Sequence, residues 1–101
     1  MIQTLNDVYN LMKKPEFTMP FSRNWEPLGT YNLYNNRGDR IEIIMDKSAL
    51  TVYTFHNKNS EYYETVSLKD PRGRAMRKKF HKMLFAKHIA AMVKDIEENY
   101  R

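Results

Sequence analysis

The chain has 101 residues, a length that suits one domain, and with 42% hydrophobic and 13% aromatic residues it can bury a real core, which excludes wholesale disorder. No apolar run approaches the roughly 18–20 residues of a membrane span and no charged-then-apolar leader opens the sequence, so a soluble, cytoplasmic protein with no membrane partner is expected. Cysteine is absent, which removes disulfides, thiolate metal sites and a cysteine nucleophile, and 17 Lys and Arg against 12 Asp and Glu give a formal charge of +5 that favours anionic partners.

Residues 1–14 place Ile2, Leu5, Val8, Tyr9 and Met12 at helical spacing along one stripe, and Pro15 ends that helix. Residues 15–28 carry Pro15, Pro20 and Pro27 among Phe17, Met19, Phe21 and Trp25, which reads as an ordered aromatic loop. Trp25 is expected there as a plug closing one end of the globule; exposed, it would instead be a protein-binding hot spot. Residues 29–69 read as a three- to four-stranded antiparallel meander. Tyr31 and Leu33 open the first strand, and Ile41, Ile43 and Met45 alternate with Arg40, Glu42 and Ile44 in the second. Leu50, Val52, Thr54 and His56 alternate with Thr51, Tyr53 and Phe55 in the third; Tyr62, Glu64, Val66 and Leu68 alternate with Tyr63 and Thr65 in the fourth. The connectors 35–39, 46–48 and 57–60 are rich in Asn, Asp, Gly and Ser, as tight turns require.

Residues 70–101 read as one long helix, because Asp70-Pro71 supplies an N-cap and a proline at the first helical position, and no Pro or Gly follows Gly73. Its apolar residues divide between two faces. Met76, Phe80, Met83 and Leu84 share one, while Phe85, Ile89, Met92, Ile96 and Tyr100 lie nearly opposite, so the helix needs cover on two sides. The sheet supplies one cover. The other is either the N-terminal helix or a second copy of the chain, in a homodimer contact through Phe85, Ile89, Met92 and Ile96. The whole is an α+β domain: a helix, a sheet and a long C-terminal helix packed on the sheet.

Arg72, Arg74, Arg77, Lys78, Lys79 and Lys82 put six cations and no acid into eleven residues, while the rest of the chain, with 11 basic and 12 acidic residues, is near neutral. They sit at the start of a helix, where the macrodipole disfavours each cation by a few tenths of a kcal/mol. An anion such as a phosphate would benefit from both the cations and the free N–H groups of that terminus. Arg37 and Arg40 extend the patch if the first hairpin turn lies on the same side. A solvated basic face, contact with the phosphates of DNA or RNA, and docking on an acidic protein surface all fit this block. Helix, meander and final helix with a basic first turn resemble the double-stranded RNA-binding domain, which implies shape recognition of phosphates across a groove. The sequence departs from that family in having no Gly-rich loop with a Ser-Lys-Lys stretch and no Ala-rich final helix.

Tyr53, Phe55 and Tyr63 either stack single-stranded bases or form core and cross-strand pairs, depending on which sheet face the last helix covers. His81 and His88 are about 10 Å apart along a helix, too far for one metal ion. Glu61 and Glu64 fall on opposite strand faces, and no Ser-His-Asp set or Gly-rich phosphate loop is present, so neither catalysis nor a cofactor or metal is expected. Arg37-Gly38-Asp39 spells an adhesion tripeptide, but its composition is that of a turn. Few Gly with many Asn, Lys and Tyr fit AT-rich coding, as in viruses or low-GC bacteria; a viral protein would work in the host cytoplasm. The expected function is that of a small basic, non-enzymatic nucleic-acid-binding protein. The alternative is a viral-type modulator or inhibitor that docks its basic patch on an acidic or nucleic-acid-binding surface of a host protein.

Overall fold

The computed structural model describes residues 2–100; Met1 and Arg101, the end points of the expected first and last helices, lie outside the described residues. In chain order the elements are α1 (Leu5–Met12), β1 (Gly29–Tyr34), β2 (Asp39–Met45), β3 (Ala49–His56), β4 (Asn59–Ser67) and α2 (Pro71–Asn99). The four strands form one antiparallel sheet in the order β1-β2-β3-β4, so the architecture is α+β, as the alternation and caps predict.

α1 is shorter than the 1–14 stripe predicts because Thr4 caps it. The Thr4 hydroxyl accepts from the Asp7 N–H, and the Asp7 carboxylate accepts from the N–H groups of Gln3 and Thr4. These bonds, that from Gln3 foremost, hold the Asp7 carboxyl below its ordinary range. The β2–β3 turn is closed by the Asp46 carboxylate, which accepts from the N–H groups of Ser48 and Ala49 and from the Ser48 hydroxyl. The β1–β2 turn needs Gly38, whose φ is +89° and whose missing Cβ leaves room for the Asn57 side chain.

The period-two pattern decides the sheet's faces. Leu33, Ile41, Ile43, Met45, Leu50, Val52 and Val66 are all buried on one face, beneath Leu5, Val8 and Met12 of α1 and Phe80 and Leu84 of α2. A shift of register between Thr54 and Phe55 pairs Phe55 with Ser60 and leaves Glu61 without an opposite residue.

α2 starts as expected, with Pro71 at its first position and the Asp70 carboxylate accepting from the Arg72 N–H. Its 29 residues extend about 43 Å, close to the 46 Å longest dimension of the molecule. The segment between α1 and β1 lies along it. Thr18 and Tyr34 exchange two 2.9 Å backbone hydrogen bonds at the β1 edge, Phe17 is fully buried, and the Lys87 ammonium donates to the carbonyls of Lys14 (2.9 Å) and Phe17 (2.7 Å). Burial lowers the pKa of Lys87 from its ordinary value.

Trp25 closes the segment against the helix. Its ring stacks on Tyr31 at 5.4 Å and meets His81 at 5.4 Å, Phe85 at 5.3 Å and His88 at 5.3 Å. The two histidines, seven residues apart, therefore share a packing partner.

Candidate nucleic-acid interface

The block 72–82 fills the first three turns of α2, and its six cations spread over about 220° of the helix circumference. Lys78 and Lys82 are exposed, and among the described residues neither makes a hydrogen bond or an ion pair. On one flank Arg74 donates to the carbonyls of Leu68 (2.9 Å) and Lys69 (3.1 Å), and Arg77 donates to the carbonyl of Asp46 (2.6 Å). On the other flank Lys79 donates to the Asn6 amide oxygen (2.7 Å) and lies 4.2 Å from the Tyr9 ring centroid. Arg72 donates to Glu64 at 3.1 Å, and the same carboxylate accepts from the Tyr62 hydroxyl at 2.8 Å.

The acceptors differ in charge, and that difference decides the electrostatics. Carbonyls, an amide and a ring position Arg74, Arg77 and Lys79 without neutralising them. Of the six cations, Arg72 alone forms an ion pair among the described residues. Two further acids lie beside the block: the capping Asp70, and Asp46, whose carboxyl is held low first by the Ser48 N–H and in part by Arg77. A positive ridge remains, about 15 Å long, with part of its side-chain order already fixed by the fold.

Arg37 and Arg40 lie elsewhere. Arg77 touches Asp46 after the last residue of β2, whereas Arg40 stands near that strand's first residue, about 20 Å away along it. Arg37 is paired with Glu16 at 2.7 Å. Arg40 donates to the Asn32 side chain at 2.8 Å, lies 3.7 Å from Glu42, and sits over the Phe55 ring at 4.1 Å. The two ends of the sheet thus carry separate cations.

Tyr53, Phe55 and Tyr63 occupy the sheet face that the helices leave open. Tyr53 pairs across the strands with Tyr63, ring centroids 4.8 Å apart, and stacks along its own strand on Phe55 at 5.7 Å. With Arg40 and Glu42 beside them, these rings form a platform of mixed charge, separate from the basic ridge.

At the far end of α2 the expected second apolar face is present. Phe85, Ile89, Ile96 and Tyr100 are exposed and Met92 is half-buried, and exposed Val93 belongs to the same stripe. Helical angle alone was enough to place Val93 near Ile89. Among the described residues no three His, Asp or Glu side chains converge to hold a metal ion. No known family, no curated protein and no solved structure matches this chain.

Proposed function

We propose that this chain is a small non-enzymatic protein that binds the phosphate backbone of DNA or RNA through the first turns of α2. The observation that carries the reading is the excess charge of the ridge: among the described residues five of its six cations form no ion pair, and three of those five are held in place by neutral acceptors. The helix dipole opposes cations at an N-terminus, and Lys78 and Lys82 make no internal hydrogen bond or ion pair among the described residues to offset that cost. Cations fixed before binding lose less side-chain entropy when a phosphate arrives. The ridge spans about four phosphates of one strand at 3.4 Å per step of helix axis.

Fluorescence anisotropy with duplex DNA, duplex RNA and single strands at about 0.15 M salt tests it. Lys78→Ala combined with Lys82→Ala removes two exposed, unpartnered cations and leaves the packing intact. The expected result is affinity weakened about 30-fold, the electrostatic worth of two phosphate contacts at that salt. Equal affinity for wild type and variant contradicts the assignment.

The exposed apolar stripe that continues from Lys78 and Lys82 favours a second reading, contact with an acidic protein surface. A complex that persists after nuclease treatment and dissociates at high salt would support it over nucleic acid.

A further inference from the structure

We infer that the outer edge of β1 is a docking site for an extended peptide, which adds to the sheet as a further antiparallel strand in the groove between β1 and residues 19–26. The inference does not rest on nucleic-acid binding, and none of its residues belongs to the basic ridge. Backbone hydrogen bonding alternates along β1. The Asn35 N–H donates to the Asp39 carbonyl on the β2 side, whereas Tyr34 turns both its backbone groups the other way, to Thr18, at 2.9 Å each. The register with β2 is unbroken, so the N–H and C=O groups of Asn32 and Thr30 also point away from β2. Among the described residues none of these four backbone groups has a hydrogen-bond partner.

The chain's own segment begins to cover this edge and then leaves it. With Thr18 opposite Tyr34, antiparallel pairing would bring Pro20 opposite Asn32, and proline has no N–H to donate to the Asn32 carbonyl. The segment bridges at Thr18 alone and returns only where Trp25 stacks on Tyr31 at 5.4 Å. Between it and β1 lies a groove of about 410 Å³. One strand residue fills roughly 160 Å³, from a rise of about 3.3 Å, a strand spacing of about 4.8 Å and a layer of about 10 Å, so the groove holds two or three residues of a strand.

The same geometry selects the occupant. Outward backbone groups two residues apart match the alternate residues of an extended chain, and residues 19–26 stand where the sheet of a second folded copy would have to lie. Phe21 and Leu28, 43% and 36% exposed, line the groove with Trp25. The peptide residue opposite Tyr31 shares its face of the sheet and meets these side chains, so an apolar residue belongs there. The lining holds the Glu26 carboxylate and no Lys or Arg, which favours a neutral or basic peptide over an acidic one.

The probe is acetyl-Lys-Thr-Val-Thr-Lys-amide, added to the full chain and followed by NMR. It should slow amide exchange at Thr30 and Asn32 and shift the Trp25 indole signal. In the docked register both Thr of the probe turn their N–H groups to β1, and the central Val turns its own away. N-methylation of either Thr should therefore weaken binding about 5- to 10-fold, while N-methylation of the Val should change it less than about twofold. Thr30→Pro removes one outward N–H at an edge position that accepts proline, and should weaken the probe about 5- to 10-fold with unchanged circular dichroism. No protection of Thr30 and Asn32 at millimolar probe, or equal losses from N-methylation at Thr and at Val, would overturn the inference. Lys78→Ala with Lys82→Ala should bind the probe as wild type does, so failure of the peptide site and failure of nucleic-acid binding are distinguishable.

Discussion

Gly73 lies where α2 crosses the end of β4, and a Cβ there would collide with the Ser67 carbonyl oxygen. In an open helix, replacing glycine by alanine stabilises by about 1 kcal/mol. Here the sign is reversed, because backbone must move: Gly73→Ala should destabilise by about 1–3 kcal/mol in urea unfolding. A more stable variant would mean that α2 is seated differently. Asp39 and His56 join the ends of β2 and β3 through a side-chain hydrogen bond that raises the His56 pKa and, with a second bond from Asn35, lowers that of Asp39. The His56 contribution to stability is complete below its ordinary 6.5 and fades as pH rises through its higher folded value. That of Asp39 is complete above its ordinary 3.8 and fades as pH falls through its lower folded value, so the pair contributes fully between the two ordinary values. Asp39→Asn should bring the His56 titration, followed by NMR, back towards 6.5; an unmoved midpoint would deny the contact.

The elements differ in how visibly the sequence encodes them. Asp70-Pro71 marks the start of α2, and alternation marks the strands, because caps and period-two burial are local. α1 starts later than its stripe suggests because the Thr4–Asp7 capping box competes with the apolar spacing. Which face of the sheet is open was not legible, since Tyr53, Phe55 and Tyr63 are as apolar as many core residues. The packing of α1 and α2 over the other face, which carries Val52 and Val66, decides it. The segment between α1 and β1 is likewise fixed by distant partners, the Thr18–Tyr34 bridge, Lys87 and the four rings around Trp25. Trp25→Ala should cost about 3 kcal/mol and raise amide exchange across residues 17–28. Exchange unchanged in that segment would show that the ring does not anchor it.

Across the whole molecule, charge is divided in a way that composition only partly shows. The six cations at the start of α2 are legible as a cluster, but their acceptors are not, since backbone carbonyls of Leu68, Lys69 and Asp46 leave no mark in the residue pattern. Nor does the sequence place Arg37 and Arg40 at the opposite end of the sheet, each beside an acid. These placements refine the expected salt dependence. Six phosphate contacts predict a log–log slope of roughly −5, whereas five cations without an ionic partner predict about −4.5 for a duplex. The most direct measurement is the affinity for duplex DNA and duplex RNA as a function of salt, for wild type and for Lys78→Ala with Lys82→Ala. Uncompensated cations meeting phosphates predict the slope near −4.5 and a loss of about 2 from it in the variant. A slope near zero, or one that the two substitutions leave unchanged, would contradict the assignment of the ridge to nucleic acid.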